Sequence, residues 1–217
     1  MFKYLLATLR RIMGKINNDV IGILAYGSLI EDPGEPIIQL LVKRIDTVTP
    51  FSVEYARTSK TRGNAPTLIP FDSGAQVKAQ ILVLRAETSV QIASNILYQR
   101  ETRQTARNYE RPNETDITNN TVLIEILTNF ENIQTVLYTR LGSNVPDLTA
   151  TNLATNAIAS AEGKAGETRK DGISYLINAN RNGIKTSLSS NYEEEILRLT
   201  SATSLEDAYK RCRKNNS

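Results

Sequence analysis

"ILAYGSLI", residues 23–30, decides the fold: a run of strand-forming apolar residues beginning at Val20 stops at Tyr26-Gly27-Ser28 and gives way to Glu31-Asp32-Pro33-Gly34. A near-continuous apolar run, preceded by Asp19 and closed by a glycine turn, predicts a strand buried on both faces. A bare turn requires no tyrosine beside the glycine. Such an ending would present backbone N–H groups at the C-terminal edge of the strand, and glycine lets a ligand approach that backbone closely. The alternative is an ordinary turn with a packed Tyr26 and a locally bonded hydroxyl.

The surrounding chain bounds what this edge can do. Its 217 residues suit one domain with a good-sized core, and 40% hydrophobic with 23% charged residues is ordinary globular composition. There is no histidine, which excludes Ser-His-Asp triads, Cys-His dyads and every His-containing metal site. The single cysteine, Cys212, lies in the basic stretch "YKRCRKNNS" with no intramolecular disulfide partner, which fits a reducing, cytoplasmic compartment. A net charge of +3, spread along the chain, points away from nucleic acid. No apolar run approaches the roughly 18 residues that a transmembrane helix needs.

The two ends are read apart from the domain at 20–200. Residues 1–19 predict an amphipathic helix packed on the domain, with Phe2, Leu5, Leu6, Leu9, Ile12, Met13 and Ile16 on one face. A membrane-surface helix is the alternative, while Arg10 and Arg11 interrupt the run too early for a signal peptide. Residues 201–217 predict a basic tail, helical or frayed, with a solvated end from Lys210 onward.

Between the ends, Pro50–Ala56 alternates, Phe51, Val53 and Tyr55 against Ser52 and Glu54, as a half-buried strand does, and Val77–Leu84 follows suit. Ile37–Asp46 fits helix or strand. Thr88 with Gln91 predicts a capping box opening a helix, 102–120 reads as polar loop, and "TVLIEIL" and "IQTVLYTRL" read as strands. Helical patterns follow at 148–162, 170–182, stopped by Gly183, and 191–210. Strands first and helices last, with one helix inserted, predict an α+β fold with a small mixed sheet, curved or barrel-like.

Three elements carry candidate chemistry. On the helix from Thr88, Val90, Ala93, Leu97 and Glu101 share one side at about 100° per residue, so a carboxylate ends the apolar face. Glu101 is then either a partly desolvated general base and acid, or one half of a solvated pair with Arg100, Arg103 or Arg107. The Tyr26-Gly27-Ser28 edge is the second element. The third, "RTSKTRGNAPTLIP" (57–70), is a loop able to carry Arg57 and Arg62 toward an acidic ligand, or simply a solvated basic loop.

Taken together, "ILAYGSLI" (23–30), "VEYARTSKTRG" (53–63), "ILYQRET" (96–102) and the stretch from "GISYLINANRNGI" to "SNYEEEIL" (172–197) resemble the gamma-glutamylcyclotransferases, especially the ChaC-type proteins, from about Val20 to Leu199. The resemblance implies the gamma-glutamylcyclotransferase fold and intramolecular aminolysis: the α-amine of a gamma-glutamyl group attacks its own γ-carbonyl, giving 5-oxoproline and a released amine or amino acid. It implies Glu101 as general base and acid, and the turn Tyr26, Gly27, Ser28 and Leu29 as the cradle for the gamma-glutamyl group. Arg62 would meet an anionic substrate group, and Tyr109 is the aromatic of the 102–120 loop able to reach a site. No cofactor and no metal are implied. The expected partner is a small-molecule gamma-glutamyl substrate, with neither nucleic acid nor membrane and with the oligomeric state left open. The chain has no tryptophan, whereas the glutathione-specific members carry tryptophan-bearing blocks, which counts against glutathione as substrate. A non-catalytic small-molecule-binding member of the same fold, and a membrane-surface or partner-binding protein acting through its N-terminal helix, are the competing functions.

Overall fold

The computed structural model describes residues 20–214; the expected helix at 1–19 and the last three residues of the tail lie outside the described residues. The opening run forms strand β1, Ile21–Ala25, and all five of its residues are buried. It is buried because it is the middle strand of a five-stranded sheet ordered β2-β5-β1-β7-β6, where β2 is Leu41–Val48, β5 Lys78–Leu84, β6 Leu123–Phe130 and β7 Ile133–Arg140. β1 runs antiparallel to β5, with Ile23 opposite Leu82, and parallel to β7, with Ile23 opposite Leu137. The period of two sends Ile23 and Ala25 into the main core beneath the helices, and Leu24 into a smaller core with Ile81, Val83 and Val136 on the other face. Strands β3, Val53–Ser59, and β4, Ala65–Pro70, form a separate hairpin.

The class is therefore α+β with a mixed sheet and C-terminal helices. Two details of the expectation change. No ladder joins β2 to β6, so among the described residues the sheet has two edges and is not closed into a barrel. Three helices, not one, lie among the strands: α1, Ser28–Glu31, α2, Glu35–Leu40, and α3, Val90–Thr102. Ile37–Asp46 was ambiguous because it holds both states, the end of α2 running straight into β2. At α3 the cap is Ser89, whose Oγ accepts from the Ile92 N–H at 3.2 Å; Thr88 is buried one residue too early for a capping box.

The C-terminal half is helical: α4, Ala150–Glu162, α5, Lys164–Glu167, α6, Gly172–Arg181, α7, Ser189–Thr200, and α8, Leu205–Lys214. The pattern at 191–210 divides because Ser201 adopts a left-handed conformation (φ 51°), ending α7 and letting α8 fold back. α8 is no solvated tail, since Leu205, Ala208 and Cys212 are buried in the main core. Arg213 Nη1 donates to the carbonyls of Ala161, Glu162 and Gly163, satisfying the end of α4.

Strand β3 departs from simple alternation. Glu54, expected on the solvent side, is 1% exposed, because the loop leading into α7 covers that face. Its carboxylate accepts from the Tyr55 N–H at 2.9 Å and the Leu188 N–H at 3.1 Å, which makes the burial tolerable. No described helix is long and apolar enough to cross a membrane.

Candidate functional site

The turn after β1 is built by its glycine. Gly27 has φ 60° and ψ −134°, a conformation that side chains avoid, and it turns the chain from β1 directly into α1. A Cβ at Gly27 would meet the Tyr175 hydroxyl, delivered by α6. That hydroxyl packs against one side of the glycine and also accepts from the Leu68 N–H at 3.4 Å, while Gly27 itself lines a cavity of about 390 Å³ beside the turn. Tyr26 is half-buried, edge-on to Phe51 with centroids 6.0 Å apart, and its hydroxyl donates to the Thr139 carbonyl at 3.4 Å.

Across from this turn stands the end of α3. Arg100 binds the turn with three donors, Nε and Nη2 to the Asp32 carbonyl at 3.2 and 2.7 Å and Nη2 also to Ser28 Oγ at 3.2 Å. Its Nη1 lies 2.6 Å from Glu101 Oε1, and these side chains are only 12% and 19% exposed. Of the three arginines weighed as partners of Glu101, the structure pairs Arg100. Glu101 is therefore a carboxylate in a partly enclosed ion pair, neither isolated in an apolar pocket nor solvated.

Tyr26, Ser28, Leu29, Arg62 and Glu101 line one cavity of about 640 Å³. The sequence places these residues far apart, and α3, β1 and the β3–β4 hairpin bring them together. Arg62 enters from the short helical turn Lys60–Arg62, which Gly63 closes in a left-handed conformation. Its guanidinium lies 5.2 Å from the Tyr175 ring centroid. Burial pushes the Arg62 pKa below the usual arginine range; the Tyr175 phenol opposes this, and the neighbouring Arg100 and Arg103 charges add to it. Burial drives the Tyr26 phenol well above its usual range, and Glu101 pushes the same way, so this hydroxyl keeps its proton and acts as a donor. Arg57 also lines the cavity but is occupied in its wall, donating to the Asn119 and Gly142 carbonyls at 2.8 Å each and to Asn120 Oδ1 at 2.9 Å.

Tyr109 does not join this group. Its ring packs on Tyr98 at 5.4 Å and its hydroxyl accepts from the Ile124 N–H at 3.1 Å, which fastens the 102–120 loop to β6. Two residues that the sequence reading did not assign take its place. Arg100 was visible only as a possible partner of Glu101, and Tyr175 only as part of the helical pattern at 170–182. Among the described residues no group of three or more His, Cys, Asp or Glu side chains could hold a metal ion.

The fold and site together define an α+β protein with a basic cleft at the end of its central strand, into whose larger cavity Glu101 brings a carboxylate. No protein-family model, curated protein or solved structure matches the chain.

Proposed function

We propose that the cleft is the active site of a gamma-glutamylcyclotransferase-type enzyme that closes a gamma-glutamyl group to 5-oxoproline. The observation that carries this reading is the shared cavity of Glu101, Tyr26, Ser28 and Arg62. The reaction needs one proton acceptor, an oxyanion donor and tight orientation, and no group from outside the chain. Glu101, ionised in its pair with Arg100, takes a proton from the α-ammonium. The freed amine attacks the γ-carbonyl carbon and the new C–N bond forms. Glu101 passes the first proton to the departing nitrogen as the old amide C–N bond breaks. It then carries the second proton from the ring nitrogen to the released amine, which leaves as an ammonium while the ring keeps one N–H. The Ser28 hydroxyl, whose oxygen accepts from Arg100, donates to the carbonyl oxygen as charge develops on it, joined by the protonated Tyr26 once its 3.4 Å bond to the Thr139 carbonyl is exchanged for the substrate. Arg62 supplies a cation for an anionic group of the substrate.

The test is release of 5-oxoproline from a panel of gamma-glutamyl amino acids, gamma-glutamyl amines and glutathione by the wild type and by Glu101→Gln. Release abolished by the substitution in a folded protein supports the assignment. Undiminished release would sink it.

A second reading has its own observation. The Arg100–Glu101 contact of 2.6 Å already satisfies the carboxylate, as a purely structural ion pair would. A folded protein that binds gamma-glutamyl compounds and turns none over would be a non-catalytic small-molecule-binding protein of this fold.

A further inference from the structure

The cleft has a second lobe. A cavity of about 390 Å³ adjoins the first, and the two share Ser28, Thr61, Arg62, Arg103 and Tyr175. Glu101 lines only the larger lobe, so a molecule whose reacting bond lies beside Glu101 extends its remaining half toward the smaller one.

The smaller lobe is lined by four cations, Arg62, Arg103, Arg169 and Lys170, and by Glu31 and Asp32. Arg169 is held outside this group, sharing Glu206 with Arg181: its Nη1 lies 2.9 Å from Glu206 Oε2, Arg181 Nη2 lies 3.0 Å from Oε1, and the Arg169 guanidinium is 4.0 Å from the Tyr209 ring centroid. Among the described residues, Arg62 spends a donor only on the Lys170 carbonyl, at 3.5 Å, and has no carboxylate in contact. Among the described residues, the side chains of Arg103 and Lys170 form no ion pair and no hydrogen bond. Even with Arg169 left out, three cations face two carboxylates in one concavity, a net positive balance. Like charges gathered in a cleft of this kind attract an anion, and arginine and lysine donors suit a carboxylate.

We propose that Arg62, Arg103 and Lys170 form a second subsite that takes one carboxylate on the departing half of the substrate. This rests on the cyclotransferase reading, and it assigns the enzyme to gamma-glutamyl amino acids or peptides in preference to gamma-glutamyl amines.

The test compares gamma-glutamylalanine with gamma-glutamylethylamine, the same molecule without the departing carboxylate. Wild type is expected to show kcat/KM about tenfold or more higher for the acid, the effect of one charge-assisted hydrogen-bonding site. In the double variant Arg103→Gln with Lys170→Gln, both positions being exposed, that ratio falls toward unity through the acid substrate. Equal rates in wild type, or an undiminished ratio in the variant, overturn the subsite. If neither compound yields 5-oxoproline, calorimetric titration with the same two compounds decides separately. Tighter binding of the acid that is lost in the double variant sustains the subsite while the cyclotransferase reading fails. Equal binding of both compounds, or binding of neither, overturns the subsite as well.

Discussion

Replacing Gly27 with alanine adds one methyl group at the point where the central strand meets the cleft. Two costs follow. The backbone at φ 60°, ψ −134° is strained for any residue with a Cβ, by about 1–3 kcal/mol. The new methyl also runs into the Tyr175 hydroxyl, with Leu68 Cδ1 3.5 Å away on another side. Tyr175 is 7% exposed, and its ring lies beside Tyr55, at 6.2 Å, and under the Arg62 guanidinium, so it has nowhere to swing. Forcing a rigid ring aside in a packed core costs about 1–3 kcal/mol. The sum, about 2–6 kcal/mol, is a large part of the stability of an ordinary domain. Urea denaturation of four proteins separates the terms: wild type, Gly27→Ala, Tyr175→Phe and the double variant. In the phenylalanine background the hydroxyl is gone, so the alanine should cost only its backbone share, and the cycle should return about 1–3 kcal/mol of coupling. A Gly27→Ala cost below about 0.5 kcal/mol, or equal costs in the two backgrounds, would refute this account of the turn.

Three further outcomes are expected. Glu101→Gln should lower turnover by about 10² to 10⁴ while costing only about 1–2 kcal/mol of stability, because the amide oxygen can still accept from Arg100; activity assay and denaturation read the two effects apart. Arg213→Met should destabilise the fold by about 1–3 kcal/mol, seen as a lower urea midpoint, because three carbonyls at the end of α4 lose a charged donor. Burial pushes the Cys212 thiol up to about 11, so iodoacetamide at pH 8 should leave the native protein unmodified and label it after unfolding. The sign is consistent: a thiol that ionises less readily in the fold favours the folded state least at high pH, so this contribution is lost as pH rises from about 9 toward 11.

Local chemistry was sufficient for the skeleton. The unbroken apolar run into Tyr26 identified a strand covered on both faces, and a strand so covered must lie inside its sheet. Gly183, with φ 67°, marked the end of a helix, and the spacing of Ala93, Leu97 and Glu101 put the carboxylate on the inward face of α3. These readings succeed because backbone conformation and side-chain period are set over a few neighbouring residues. The same rules failed wherever a distant segment changed the environment. Glu54 alternates as an outward residue, yet a loop 134 positions away supplies Leu188 N–H and covers it. Tyr109 is an aromatic in a polar loop, and only the neighbouring strand makes it a fastener. Arg100 is adjacent to Glu101 in the chain, but its clamp on the turn spans 68 and 72 positions. Tyr175 reaches Leu68 from 107 positions away and packs against the glycine of the turn. The sequence by itself determined which strand ends at the cleft and which carboxylate points into it. Only the tertiary structure decided what surrounds that carboxylate, because which side chains meet depends on how helices and strands pack across the core, a relation that local periodicity does not encode.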